Sequence, residues 1–365
     1  MAKVSVVIPM YNAKRFITGC VDSLLEQTIG DLEIIVINDC STDESMEICS
    51  ERYKDEKRVV LIDQPKNMGP GEARNAGLKA ATGEYIAFVD ADDGLLNDAL
   101  LKMYEVAKER DADVVHVGGA LIPYANPLPD NLNTLKKSEL VKLFLDSGTR
   151  YEEIHNVPES ISERIDNWLK HYYHWNVWAK LFRTSLIRDN NIEFSYLPLS
   201  EDQNFCFRCL MHAKNYVIMP GNYYIYRIAE ASISRGQKSP AFLAKTLKAL
   251  FGVSEVMQKA MDAHPFFTEH PEYVQIVTGY CLSCLEDSYV RQAYCGISKE
   301  EARNSEAVKD VFVKFFGANA RYVSDMFFNY HDTLPKPDDL LDRMNSMEFW
   351  TEALKSGLTT LLEEP

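Results

Sequence analysis

Long apolar runs are missing from this sequence. No stretch of the 365 residues approaches the ~18–20 uninterrupted hydrophobic residues that a membrane-spanning helix needs. A signal-peptide layout is missing too, because Lys3 leads directly into Val4-Ser5-Val6-Val7-Ile8-Pro9. The chain therefore reads as cytoplasmic and unprocessed. Cysteine is sparse at 8 residues, too few for a disulfide scaffold, so reduced thiols are expected. The Cys-x-x-Cys pairs Cys206/Cys209 and Cys281/Cys284 lie in apolar helical patterns without the turn residues of a zinc knuckle. They read as buried thiols, and His171/His174 is discounted as a metal pair. Basic residues are also in deficit: 39 Lys and Arg against 54 Asp and Glu leave a net charge of −15. That is the wrong sign for holding a nucleic-acid backbone, and anionic lipid gets no electrostatic help. Finally, Pro9-Met10-Tyr11-Asn12 stands where a dinucleotide-binding dehydrogenase would carry Gly-x-Gly-x-x-Gly. A sugar-nucleotide pyrophosphorylase would want a glycine-rich, basic loop at the same place.

What is present is an ordinary globular composition, 46% hydrophobic and 25% charged, long enough for about two to three domains. The first 120 residues alternate β-branched runs with amphipathic stretches, the pattern of an α/β unit around a mainly parallel sheet. Strands are expected over 4–9, 32–39, 59–64, 85–90 and 113–119, and helices over 13–27, 43–53, 70–81 and 97–110. Ser41-Thr42-Asp43-Glu44 has capping-box spacing, and Pro70 suits a first helical turn. Residues 121–238 form a second part. It opens with a proline-interrupted segment holding one helix near 136–145 and closes with helices near 185–190 and from Ser200, then strands over 216–219 and 223–228. Residues 239–365 read as a helical subdomain.

Parallel α/β sheets bind ligands at the carboxyl ends of their strands. Here those ends carry Pro9-Met10-Tyr11-Asn12, Asn38-Asp39-Cys40-Ser41-Thr42-Asp43, Gln64-Pro65-Lys66-Asn67-Met68-Gly69 and Asp90-Ala91-Asp92-Asp93-Gly94. An aromatic ring, amides, carboxylates and glycines suit a nucleotide pocket. In an extended chain Asp90 and Asp92 share a face and can converge on one hard cation, Mg²⁺ or Mn²⁺, which typically takes one or two protein carboxylates plus phosphate oxygens and water. A turn followed by a helix cap is the plainer reading of those acids. Asp39 can accept a hydrogen bond from a base imide, or serve as a turn acid ahead of a helix. Asn67, Gly69 and Arg74 offer close backbone approach and a cation at a helix start, which suits a diphosphate; a glycine-rich helix entrance with an ion-paired Arg74 is the alternative.

These four motifs, in this order, resemble the successive signatures of family 2 inverting glycosyltransferases. The resemblance is close over residues 1–120 and looser over 170–235. It implies a GT-A fold, a Rossmann-like sheet with flanking helices, and a nucleotide-diphosphate-sugar donor with a UDP head. Pro9, Tyr11, Asn12, Asp39 and Asn67 would then line the nucleoside pocket, with Arg74 and Asp90 near ribose or diphosphate. Asp92 would be the principal metal ligand, and Asp93 would face the donor sugar. Ser200-Glu201-Asp202-Gln203 resembles the family's Glu-Asp motif, with Asp202 as catalytic base and Glu201 in reserve, although Ser200-x-x-Gln203 also has capping-box spacing. Trp175 and Trp178 suit either a sugar face or core. Tyr226-Arg227 and Ser232-x-Ser234 resemble a segment near the donor phosphates, without its histidine.

The resemblance thus implies metal-dependent inverting transfer from a UDP-sugar to a glycan or lipid-linked saccharide, in cell-surface polysaccharide assembly. A non-catalytic glycan-binding or assembly protein on the same scaffold is the alternative. Apolar stretches such as Val311-Phe312-Val313-Lys314-Phe315-Phe316 suit core, a homodimer contact or shallow contact with the inner face of the plasma membrane. From Asp332 onward eight acids face three bases, and seven further carboxylates fall in the candidate site. Such a pocket would take a diphosphate poorly without a divalent cation.

Overall fold

A computed structural model describes residues 2–123, 144–146, 152–170, 172–173, 175–197, 199–227 and 238–333. By contacts the chain divides into two units, one of residues 1–196 and 205–229, the other of 197–204 and 230–365.

The first unit is α/β. Among the described residues ten strands run β1 (Val4–Met10), β2 (Leu32–Asn38), β3 (Val59–Asp63), β4 (Tyr85–Phe88), β5 (Gly94–Leu95), β6 (Val114–Pro123), β7 (Phe144–Asp146), β8 (His155–Asn156), β9 (Lys180–Arg183) and β10 (Tyr216–Ile225). The sheet order is β3-β2-β1-β4-β9-β6-β10-β5, with β7 beside β6 and β8 beside β10. The ladders from β3 through β4 and between β6 and β10 are parallel, and β9 enters antiparallel to both β4 and β6. Central strands carry near-continuous Val and Ile because both faces are covered; Val4, Val6, Val7 and Ile8 are all 0% exposed. Each such side chain contributes roughly 1.5–3 kcal/mol, against about 1 kcal/mol for a helix cap, so strand burial dictates where the loops emerge.

Four helices follow the early strands: α1 (Ile17–Leu25), α2 (Ser45–Arg52), α3 (Pro70–Ala80) and α4 (Ala99–Glu109). Pro70 takes the first turn of α3 as expected. This helix lies so close to β1 that a Cβ on Gly77 would meet Val7 Cγ1 at 2.3 Å. Three further helices are α5 (Ile161–Leu169), α6 (Thr184–Asp189) and α7 (Glu201–His212), the last assigned to the first unit only from residue 205.

Several local expectations are corrected. Ser41–Glu44 forms no capping box: Glu44 occupies the cap position without a side-chain bond, while Asp43 accepts from the N–H and hydroxyl of Ser45. The two strands expected around 216–228 are one, β10, which absorbs register shifts against β6 near Gly221, at φ +118°. The described end of the helix expected near 136–145 is strand, since Phe144–Asp146 pairs antiparallel with Pro123–Leu121; positions 136–143 lie outside the described residues, as do His171, His174, Ile228, Ser232 and Ser234.

The second unit is helical from Pro240, with α8 (Pro240–Asp262), α9 (Pro265–Glu269), α10 (Glu272–Leu285), α11 (Arg291–Cys295), α12 (Lys299–Asn304), α13 (Glu306–Phe316) and α14 (Ala320–Thr333). Ser239, Ser298 and Ser305 cap α8, α12 and α13, and the Ser298–Glu301 box is complete. Leu247, Leu250, Met257, Cys281, Leu282, Phe312 and Phe327 fill its core. All eight cysteines are free; Cys206, Cys209 and Cys281 are buried, and burial pushes the Cys209 and Cys281 thiols well up. Among the described residues no helix is long and apolar enough to cross a membrane.

Candidate functional site

Strand register brings the motif loops to one edge of the sheet. Pairing runs Met10 beside Asn38 and Asn38 beside Asp63, with Val7 beside Phe88. Loop amides continue the ladders past the strand ends: Asp39 N–H donates to Met10 O (2.8 Å), Gln64 N–H to Asn38 O (2.9 Å) and Val89 N–H to Val7 O (3.1 Å). Pro9, Tyr11, Asn12, Asp39, Asn67, Gly69, Arg74, Asp90, Asp92 and Asp93 thereby fall at the carboxyl edge of four adjacent parallel strands.

The loops fasten one another. Asn12 sits at φ +51°, and its side-chain oxygen accepts from the N–H of Thr42 (2.7 Å) and Asp43 (3.3 Å). Its amide group thus ties the first loop to the second, a structural duty its motif did not reveal. Asp39 is 3% exposed, and its two carboxylate oxygens accept from Met68 N–H and Gly69 N–H, each at 2.8 Å. Asn67 Nδ2 returns a bond to Asp39 O at 3.1 Å. Gly69, at φ +86°, makes the left-handed step into α3 that a residue with a Cβ would resist. Tyr11 is half exposed, Pro9 is partly buried and Cys40 is exposed beside Asp39.

The acidic segment is a turn, which corrects the extended geometry expected for Asp90 and Asp92. Strand β4 stops at Phe88, and Asp93 N–H bonds Asp90 O at 2.9 Å. Successive aspartates followed by glycine favour a turn over a continued ladder. Buried Arg74, its guanidinium 5.5 Å from the Phe194 ring centroid, pairs with the Asp90 carboxylate at 2.8 Å. Asp93 is 1% exposed. Its oxygens accept from Tyr224 Oη–H (2.6 Å) and Arg227 N–H (2.8 Å), both donors supplied by the protein itself. Burial, then the charges of Asp90 and Asp92, pushes the Asp93 carboxyl well above the usual carboxylate range against the pull of those two donors. Asp92 is half-buried. Among the described residues no cluster of three or more His, Cys, Asp or Glu could hold a metal alone. Carboxylate oxygens from one or two residues of this turn nevertheless fit a hard divalent cation that draws its other ligands from phosphate and water.

Three supporting residues had little or no signal in sequence. Tyr224 Oη accepts from Asp90 N–H at 3.2 Å as well as donating to Asp93. Arg227 donates from Nη1 to the backbone oxygens of Asp92 (2.8 Å) and Asp93 (3.2 Å). Trp178, read as sugar face or core, is partly buried and stacks on Tyr224 at 4.6 Å and on Tyr226 at 5.6 Å. Tyr226-Arg227 was visible only through the family pattern, and Tyr224 lies 131 positions from the acid it supports.

Glu201 and Asp202 belong to the second unit, in the first turn of α7, Glu201 buried and Asp202 half-buried. The capping box expected there does not form. Ser200 adopts φ +62° rather than the extended conformation of a side-chain cap, its hydroxyl has no partner among the described residues, and Gln203 N–H bonds Ser200 O at 3.3 Å.

Residues 5–177 match the family described as Glycosyl transferase family 2. The chain is 30% identical over 268 residues to the uncharacterized glycosyltransferase EpsJ of Bacillus subtilis, covering 73% of this chain and 70% of that one. A poly(ribitol-phosphate) beta-glucosyltransferase of Bacillus spizizenii is 32% identical over 230 residues, 62% of this chain; the match spans only about a third (32%) of that relative's length. Among solved structures, Staphylococcus aureus TarS 1–349 in complex with UDP-GlcNAc superposes with a TM-score of 0.59 at 22% identity, over 97% of this chain and 91% of that one. That likeness is one of fold, and it agrees with the expected GT-A architecture.

Proposed function

Because the chain belongs to glycosyl transferase family 2, we propose that it moves a sugar from a UDP-sugar to a saccharide or lipid-linked saccharide acceptor, with inversion and with Mn²⁺ or Mg²⁺. The observation that carries this reading is the shared sheet edge, where Asp39 grips the Met68-Gly69 loop and the Asp90–Asp93 turn meets Arg74. In this reading that edge is a nucleoside pocket beside a cation-binding turn. Support for the chemical class comes from relatives named as a beta-glucosyltransferase and a beta-N-acetylglucosaminyltransferase acting on poly(ribitol-phosphate).

In this reading Tyr11 lies against the base, and Asp39 takes the base imide with lone pairs left by its loop bonds. Asn67 and Gly69 bring backbone close to the donor, while Arg74 keeps Asp90 oriented beside the diphosphate. Asp92, with Asp90, would hold the cation, which when bound offsets charge developing on the leaving diphosphate. Asp202 takes the proton from the attacking acceptor hydroxyl, with Glu201 in reserve. Attack comes from the face opposite the leaving UDP, so no covalent enzyme intermediate forms. The place of action is the cytoplasm or the inner face of the plasma membrane, and the α8–α14 helices are the proposed dimer contact.

A thermal-shift panel of UDP, GDP and ADP, each with and without Mn²⁺, tests the reading. Stabilisation by UDP that needs the metal is expected; equal response to all three nucleotides, or none, would sink it.

A further inference from the structure

The three acids at 90, 92 and 93 sit within one turn, and their mutual repulsion favours opening it. Something must hold that turn in a shape from which Asp92 can reach a cation. The donors that do so come from the far end of β10. Tyr224 pairs with Leu95 across the β5–β10 ladder, so its register is fixed just past the turn. Its ring is 1% exposed and stacked on Trp178 at 4.6 Å, which leaves the side chain no room to swing. From that fixed seat its single hydroxyl makes two bonds to the turn, donating to Asp93 Oδ2 (2.6 Å) and accepting from Asp90 N–H (3.2 Å). Asp93, 1% exposed, is closed to bulk solvent.

We propose that Tyr224 is a positioning residue for the cation site, acting through Asp93 to set the geometry of Asp90 and Asp92. This rests on the metal-dependent donor reading above. Tyr224→Phe keeps the ring and its stacking but deletes the hydroxyl. Asp93 then holds one donor instead of two, and the Asp90 amide loses its acceptor. The turn relaxes, and the cation binds less tightly while the nucleoside end of the pocket is unchanged.

The test is calorimetric titration of Mn²⁺ into the protein saturated with UDP, alongside the melting temperature. Tyr224→Phe is expected to weaken Mn²⁺ about tenfold, in keeping with loss of one hydrogen bond to a buried group. Asp93→Asn, which keeps the hydroxyl but alters its acceptor, should weaken Mn²⁺ similarly, and the double variant should be no worse than the weaker single. Tyr104→Phe, which deletes a remote hydroxyl bonded to Glu84 (2.9 Å), should lower the melting temperature without moving Mn²⁺ affinity. Wild-type Mn²⁺ affinity in Tyr224→Phe would overturn the assignment, as would additive losses in the double variant. Metal-independent UDP binding by the wild type would instead overturn the donor reading itself, and the assignment with it.

Discussion

Replacing Asp39 by Asn separates two duties of that residue. Its carboxylate is 3% exposed and accepts one 2.8 Å bond from each of Met68 N–H and Gly69 N–H. An amide of the same shape has one oxygen, so one backbone N–H loses its acceptor and faces a second donor. The bond that remains is neutral instead of charge-assisted. A hydrogen bond to a charged group contributes about 1.5–3 kcal/mol, so the loop should open at about 2–3 kcal/mol less cost. At 1.4 kcal/mol per factor of ten, amide exchange at Met68 and Gly69 should quicken roughly 30- to 150-fold. Hydrogen exchange read by NMR or on fragments covering 64–72 measures this, with Val36, in the buried centre of β2, as the internal standard. UDP affinity should fall in parallel, because the loop that closes the pocket is less often in place. Unchanged exchange at both amides would refute the loop-holding role, even if uridine binding were lost.

Asp92→Asn should weaken metal-dependent UDP binding at least tenfold in calorimetry, whereas Asp202→Asn should leave that binding within about twofold and cut transfer by 10²–10⁴, the usual range for losing an acid–base group. With all eight thiols free, a thiol reagent should modify exposed Cys40 and Cys295 quickly and buried Cys20, Cys49, Cys206, Cys209 and Cys281 only after unfolding; UDP with Mn²⁺ should slow Cys40 alone. Gly77→Ala should destabilise by about 1–3 kcal/mol through overpacking, since the new methyl would lie 2.3 Å from Val7 Cγ1 and 3.2 Å from its Cβ; an unchanged or raised melting temperature would count against the packing argument. Burial pushes the Asp332 carboxyl up, but the Tyr294 hydroxyl, then Arg303 and Lys299, more than offset this and hold it at about 2. A depressed carboxyl stabilises above its unfolded value of 3.8 and loses that stability as pH falls through about 2. Asp332→Asn should therefore lower the melting temperature at pH 7, by an amount that shrinks between pH 4 and pH 2.

Sequence was most informative where one physical rule dominates. Apolar runs located β1 to β4 within a residue or two, although only β1, β2 and β4 are largely buried and β3 is half-exposed, and the rule that ligands gather at strand ends led to Asp39 and the acidic turn. It was least informative where distant segments compete for the same backbone groups. Spacing at Ser41–Glu44 and Ser200–Gln203 suited a capping box, yet Asp43 turns to Ser45 and Ser200 takes a left-handed conformation instead. Nothing near Asp93 in sequence announces Tyr224, whose hydroxyl bonds its carboxylate. Nor does anything near Asn12 announce that its amide holds Thr42 and Asp43. Residues 180–183 gave no clear strand pattern, being a short insert whose place antiparallel between β4 and β6 comes from the whole sheet.

The most direct measurement is the anomeric configuration of the product, read by proton NMR after incubating the protein with Mn²⁺, the acceptor and the α-linked UDP-sugar that stabilises it. Single displacement with Asp202 as base predicts a β-linked product, formed with metal and lost in Asp202→Asn while UDP still binds. An α-linked product, or the same turnover in Asp202→Asn, would contradict it.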